Sequence, residues 1–354
     1  MMRIDSILKM ILPEKWRITL REHLVAISVT HVSGPKHLCL SQTESVVTCV
    51  VRNGEFYIEA FIRHYRKMGF SHIVFLDNGS SDRTVDLAQQ FDRVSICRSI
   101  LPIQANQRLF KRYLAKRFGH GGWCLDADVD ELFEFPGSEN IGLKQFLEYL
   151  NSQGYTAVVT QLIDMFSSKP LSSTNVLGTA RLQDEYPYYD MSNVTHELYR
   201  DAEIAQKVAG KNSIANHKTE LLWGGIRKTL WGNKCLLTKH SLFFSEKKME
   251  LFSHVHFHNN ANLADVSCAM LHYKLAGDIY ATADQNRIGF SGNGKGYNDC
   301  IEFFKNNPNF QIRQSTAVKY SGASDLVENG VLFMSKGYAE HLKRYAAAPM
   351  EAGR

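Results

Sequence analysis

Long apolar runs are missing from this chain of 354 residues, and none approaches the roughly 20 residues that a bilayer-spanning helix needs. Any membrane contact is therefore expected to be peripheral. Paired cysteine spacing is missing too: the 7 cysteines form no framework pattern and follow no clear signal peptide. They are expected to stay reduced, which places the chain in the cytoplasm. No basic run is dense enough to suggest a nucleic-acid partner, and no internal repeat is visible. What remains is an ordinary globular composition, long enough for one large domain or two smaller ones. With 41 Lys+Arg against 36 Asp+Glu the net charge is +5, which suits anionic ligands or lipid surfaces without requiring them.

Residues 1–42 read as a poorly patterned extension. Within it Ile4, Ile7, Leu8, Ile11 and Leu12 recur at helical spacing among Lys9, Lys15 and Arg17, which fits a helix packed on the domain or an interfacial membrane helix. The core begins at Ser45–Val51, a β-branched, nearly continuous apolar run expected to be a strand buried on both faces. Ile58, Phe61, Ile62, Tyr65 and Met68 then follow helical spacing, with Gly69 in the C-cap position. A second strand is expected at Ile73–Leu76, a turn at Asp77–Ser81, and a helix capped by Asp82 and reaching about Phe91. A third strand at Val94–Cys97 precedes a basic helix from about Gln104 to Phe118. Such alternation implies a mostly parallel sheet with helices on both faces, and ligands in such sheets bind at the carboxyl ends of strands.

The fourth strand ends in the stretch Trp123–Glu134, where Asp126, Asp128 and Asp130 alternate. In an extended chain all three would project from one face. Crowded carboxylates become tolerable when a divalent cation neutralises them, and oxygen ligands suit magnesium or manganese, which also bind phosphate oxygens. A solvated acidic turn is the plainer reading. Beyond Pro136 a helix is expected at Leu143–Leu150 and a strand at Tyr155–Val159, with long loops over 164–196. Further on, His254, His256 and His258 alternate, as for a shared strand face that could bind metal or simply hydrogen-bond. Gly292, Gly294 and Gly296 read as a lid, with Lys295 reaching phosphate, or as a plain connection. The last stretch looks helical.

Five stretches fall in order: Val51–Glu55, Asp77–Thr84, Asp128–Glu131, Gly224–Lys228 and Leu271–Lys274. In these the chain resembles the family-2-like glycosyltransferases of GT-A type. The resemblance implies an α/β fold of GT-A type: a Rossmann-like, mostly parallel sheet flanked by helices, with a helical C-terminal region. It implies a transferase domain over 43–280, whose half 43–150 binds nucleotide and whose half 151–280 binds acceptor, followed by a C-terminal lid and helical region over 281–354. Three alternate aspartates stand where the family motif has two, and Gly54 separates Asn53 from Glu55.

The implied activity is transfer of a sugar from a nucleotide-diphosphate donor, a UDP-sugar being favoured, to a hydroxyl of a glycan or lipid-linked saccharide. The setting by analogy is polysaccharide biosynthesis at the inner face of a membrane. On this reading Asp128 and Asp130, with His272, hold Mn2+ or Mg2+. Arg52, Asn53, Glu55, Asp77 and Asn78 face the nucleotide, and Arg227, Lys228 and Lys274 face the diphosphate. Asp77 and Asn78 fit an Asx turn as well, and His272 fits the core as well. An inverting transfer needs a base, for which Glu185 and Asp190 rank ahead of Asp164, Asp184 and Glu197; a retaining mechanism is the alternative. Two other classes stay open: a non-catalytic nucleotide- or glycan-binding scaffold, and a metal-dependent phosphohydrolase. The latter commonly places a nucleophilic aspartate on the first strand, where this chain has Arg52 and Asn53.

Overall fold

The computed structural model describes residues 13–170, 182–245, 248–277, 302–307 and 309–346. Strands and helices alternate through the first half: α1 (Glu14–Ser28), β1 (Thr30–Ser33), β2 (Ser45–Val51), α2 (Ile58–Met68), β3 (His72–Asp77) and α3 (Thr84–Ala88). After these come β4 (Val94–Arg98), α4 (Ile103–Phe118), β5 (Trp123–Asp126), β6 (Glu131–Glu134) and α5 (Leu143–Ser152). The second half holds β7 (Ala157–Asp164), α6 (Leu182–Glu185), β8 (Tyr188–Tyr189), β9 (Val194–Leu198), α7 (Glu203–Ala209), β10 (Ser213–Ile214), β11 (Glu220–Gly224) and α8 (Ile226–Trp231). It continues with β12 (Thr238–Phe244), β13 (Glu250–His254), β14 (Phe257–Asn259), β15 (Asn262–Leu263), β16 (Cys268–His272), β17 (Val318–Lys319), α9 (Ala323–Glu328) and α10 (Lys336–Ala346).

An eleven-stranded sheet runs β1-β4-β3-β2-β5-β12-β7-β15-β10, with β16 set between β7 and β6. Strands β4, β3, β2 and β5 are mutually parallel, and β7 is parallel to β15 and β16. Strand β12 runs antiparallel between β5 and β7 and joins the two parallel blocks. This is the mostly parallel, helix-flanked α/β sheet expected from the alternation of elements. Its strands are buried on both faces for the reason their composition suggests. Val47, Cys49 and Val51 of β2 enter a core with α2, α5 and α10, whereas Val46 and Val50 enter the opposite core with α1 and α4. Gly69 caps α2 in the left-handed region at φ 101°, where a Cβ would be strained. The Thr84 amide donates to Asp82 Oδ1 at 3.0 Å, but the N-cap of α3 is Arg83, one residue later than expected, and the helix stops at Ala88, short of Phe91.

Three expectations fail. The strand expected at Tyr155–Val159 runs instead from Ala157 to a buried Asp164 paired with His272 of β16, and the expected long loops over 164–196 are interrupted by α6, β8 and the start of β9; 171–181 lie outside the described residues. Asp126, Asp128 and Asp130 do not share a strand face. The strand ends at Asp126, and a turn follows in which Asp128 N–H donates to Glu131 Oε2 (2.9 Å) and Glu131 N–H to the Asp128 carbonyl (3.0 Å). Nor do His254, His256 and His258 share one: a tight turn at Val255 and His256 separates β13 from β14, and His258 turns into the core against His240. The segments 4–12 and 291–296 lie outside the described residues.

Candidate active site

The acidic turn follows β5 at the carboxyl end of the parallel block, and two lysines from elsewhere in the chain hold it. Lys111, on the sheet-facing side of α4, donates to Asp126 Oδ2 at 2.7 Å and Asp128 Oδ1 at 3.1 Å. Lys239, on β12, donates to Asp128 Oδ2 at 3.3 Å and to Glu131 Oε1. Burial alone would deprotonate both lysines, but the facing carboxylates outweigh it and keep them charged, with pKa values raised. Burial raises Asp126 and Glu131, which the lysines only partly offset. Asp128 is pushed the other way. Both ammonium groups overcome its burial and hold it ionised, and its side chain keeps 39% exposure where Asp126 keeps 5%. Asp128 is thus the solvent-facing carboxylate of a network whose other members are interior.

Asp130 belongs to a second chain of contacts. The register of the sheet places His272 of β16 opposite both Glu131 of β6 and Asp164 of β7. His272 Nδ1 lies 2.6 Å from Asp164 Oδ1, His272 Nε2 lies 3.5 Å from Asp130 Oδ2, and Arg227 Nε donates to Asp164 Oδ2 at 2.7 Å. Burial disfavours the imidazolium, yet Asp130 and Asp164 outweigh it and push the His272 pKa up to about 9. Against their own burial, Asp164 is lowered to about 2, chiefly by Arg227, and Asp130 is lowered by His272 with help from Lys274. Arg227 Nη2 is buried without a hydrogen-bond partner among the described residues. A buried, unsatisfied guanidinium donor is costly, so its presence points to a ligand or water that supplies the acceptor.

The turn after β2 interlocks with the loop after β3. Asn53 N–H donates to Ser80 Oγ (2.9 Å), Gly54 N–H to Thr84 Oγ1 (2.7 Å) and Glu55 N–H to Asp82 Oδ2 (3.0 Å). In return Asn53 Oδ1 accepts from Ser81 N–H and Glu55 Oε2 from Arg83 N–H. Asp77 is buried, accepting from Ser80 N–H (2.9 Å) and Arg98 Nε (2.7 Å), and Asn78 Nδ2 donates to the Ser99 and Leu101 carbonyls. Asp77 therefore holds the turn, while Asn78 ties it to the loop after β4. Arg52 is half-buried at the start of its turn.

Gly54 explains the break between Asn53 and Glu55. A Cβ there would sit 2.8 Å from Val51 Cγ2 and 3.2 Å from Val129 Cγ2. The glycine lets the first turn close against Val129 of the acidic turn. Gly54→Ala is expected to cost about 1–3 kcal/mol by overpacking, read from urea unfolding; a loss below about 0.5 kcal/mol would mean the two turns are not tightly joined.

Of the residues expected at the site, the structure brings together Asp128, Asp130, His272, Arg227 and, through its charge on Asp130, Lys274. Lys228 lies next to Arg227 on α8 with its stem against Gly224. The base candidates are bonded elsewhere. Glu185 pairs with Lys169 at 3.1 Å, and Asp190 accepts from Ser192 N–H at 2.8 Å and Thr316 Oγ1 at 2.6 Å. Sequence reasoning missed Lys111 and Lys239. Lys111 shares one face of α4 with Leu114, Ala115 and Phe118, the one sequence signal that it points inward from an otherwise basic helix; Lys239, among Thr238, His240 and Ser241, carries no such signal.

No family model and no curated protein matches this chain. Among solved structures, it is similar to the glucosyl-3-phosphoglycerate synthase of Mycobacterium tuberculosis, in complex with Mn2+, UDP and glucosyl-3-phosphoglycerate. The identity is 18%, the match covers 34% of this chain and 44% of that one, and the TM-score is 0.22. The match thus spans less than half the length of that protein, and a TM-score so low carries no weight for the site.

Proposed function

We propose that this protein is a glycosyltransferase, moving a sugar from a nucleoside-diphosphate donor, a UDP-sugar first, to a hydroxyl of a glycan or lipid-linked saccharide. One observation carries the reading: ionised Asp128 faces solvent at the carboxyl end of the parallel strands, beside the Asp130–His272–Asp164–Arg227 chain. Such strand ends are where open α/β sheets bind ligands. The five stretches that resemble the GT-A family lie in the family's order along the chain, and the first and third meet where Gly54 packs on Val129. Asp164 and His272 stand where a pinned imidazole leaves its Nε2 toward Asp130, an arrangement suited to a metal-ligating histidine.

Among the described residues no group of three or more His, Cys, Asp or Glu side chains is placed to hold a metal ion. Magnesium and manganese take one or two carboxylates and fill the remainder with water and substrate phosphate. Asp128 and Asp130 would hold the ion, with water and substrate phosphate completing its shell. Bound there, it would neutralise charge on the departing diphosphate. The chain's own contribution is to fix these carboxylates before the donor arrives: Lys111 and Lys239 hold Asp128, and Arg227 orients Asp164, which orients His272. Arg227 Nη2 remains to donate to a donor oxygen.

The test is thermal stability of wild type and Asp130→Ala with UDP, GDP, CMP and their sugar conjugates, with and without manganese. Ligand that binds only the folded state raises the melting temperature, by roughly 5 °C at a hundredfold excess over Kd. The expected result is a manganese-dependent rise with one nucleotide, lost in the variant. If no nucleotide moves the wild type, the donor site is wrong.

A further inference from the structure

Helix α1 carries its charges inward and its apolar residues outward. On the side facing α4, Val25 is buried, Glu22 accepts from Arg112 Nη1 (2.7 Å) and Lys116 Nζ (3.2 Å), Arg21 donates to the Ala105 carbonyl, and Ser28 meets Ser99 at 2.8 Å. On the opposite side Trp16, Leu20, Leu24 and Ile27 recur at helical spacing, all exposed, Trp16 at 66% and Ile27 at 80%. The other exposed residues on that side are Thr19, His23 and Ala26, so among the described side chains of residues 16–28 it presents no Asp, Glu, Lys or Arg. Ile100, 84% exposed, adjoins Ser99 at the same end of the helix as Ile27. An outward stripe of this kind is not needed by the fold, since α1 is already anchored by its other face, and water penalises it.

Charge lies beside the stripe. Between α1 and α4 runs a groove of about 340 Å³ lined by Glu22, His23, Arg112, Tyr113, Lys116 and Arg117; Arg112 is buried and bonded to Glu22 and the Leu251 and Phe252 carbonyls, and Lys116 and Arg117 are the exposed cations of the lining. We propose that the stripe and this groove form a docking surface for an anionic lipid bilayer, with the apolar side chains entering the acyl boundary and the cations meeting headgroup phosphates. Trp16 is of the type that prefers the headgroup level, and an apolar face flanked by Lys and Arg is the chemistry of interfacial helices. The sequence before α1, with Ile4, Ile7, Leu8 and Ile11 among Arg3 and Lys9, continues the same composition. Among the described residues no helix is long and apolar enough to cross a membrane, so the contact is interfacial. A second copy of the chain fits less well, because an isologous pairing of this patch would bring Lys116 and Arg117 of each copy toward each other.

The experiment is flotation of the full chain with vesicles of phosphatidylcholine alone and of phosphatidylcholine mixed with phosphatidylglycerol. Wild type is expected to float with the mixed vesicles and to lose binding as salt screens the cations. The variant Leu20→Ser/Leu24→Ser/Ile27→Ser is expected to bind roughly tenfold to a hundredfold less or weaker still, with unchanged melting temperature because those side chains are exposed. Lys116→Ala/Arg117→Ala is expected to weaken binding to mixed vesicles while leaving the stripe intact. Failure of wild type to float, equal binding to both vesicle types, or undiminished binding by the triple variant would each overturn the proposal. So would light scattering that shows a dimer which the triple variant converts to monomer, since a second copy would then cover the face.

Discussion

Lys111→Met is expected to lower stability by about 3–5 kcal/mol, the range for removing one partner of a buried ion pair, and to leave little of the usual folding margin. Lys111 is buried, and so is Asp126, 2.7 Å away. Removing the ammonium strands the Asp126 carboxylate in the interior and takes one of two cations from Asp128. Lys239 still faces Asp128, so the damage concentrates on Asp126. The second variant Lys111→Met/Asp126→Leu should recover most of the loss, because an apolar pair of similar volume replaces a buried ionic one without a desolvation penalty. Urea unfolding of both variants measures this. A single variant within about 1 kcal/mol of wild type would show that the pair is solvated, as exposed ion pairs are, and the rigid acidic turn would lose its support.

Acid should unfold this protein through a histidine core before carboxylates protonate. Phe252 N–H donates to His258 Nδ1 (3.0 Å), and His258 N–H donates to His240 Nδ1 (3.2 Å). Each ring uses Nδ1 as an acceptor, so both imidazoles are neutral and a second proton would face an N–H donor. Burial lowers His240 from 6.5 to about 3 and takes His258 well below its ordinary value. The unfolded chain binds protons that these two folded rings refuse, so their contribution to stability is full above about pH 6.5 and falls as pH drops toward 3, whereas His272, raised to about 9, loses its contribution as pH rises above 6.5. At about pH 5 His240 removes about 2 kcal/mol relative to neutral pH, and His258 acts in the same direction. The check is the slope of unfolding free energy against pH, in wild type and in His258→Gln, which should be less stable near neutrality but flatter by about one proton. A slope unchanged by the substitution would mean that His258 is not the group being titrated.

The legible parts of this protein are those where neighbours along the chain decide the outcome. The β-branched run Ser45–Val51 had to be a doubly buried strand, the spacing Ile58 to Met68 had to be a helix ended by Gly69, and the acidic stretch had to follow a strand at the edge where ligands bind. Period and cap chemistry act within a few residues, so sequence alone carries them. The alternating Asp126, Asp128 and Asp130 were legible as a concentration of charge but not as a geometry, because the reciprocal bonds of Asp128 and Glu131 end the extended chain after Asp126. The alternating His254, His256 and His258 misled for the same reason: a turn intervenes and reverses the period.

Tertiary structure alone decided the partners. Lys111 reaches Asp126 from α4, Lys239 reaches Glu131 across the sheet from β12, and Asp164 meets His272 only through the register of β7 and β16. Nothing local constrains such pairs, since the residues lie far apart along the chain and only a completed sheet brings them to one point. The same holds for α1. Its apolar stripe can be read from the spacing of Trp16, Leu20, Leu24 and Ile27, but which side of a helix faces water depends on the surface it packs against. Sequence determined which residues carry charge and apolar surface; the packing of α4 and β12 around the turn, and of α1 on α4, decided which of them are shielded and which are presented.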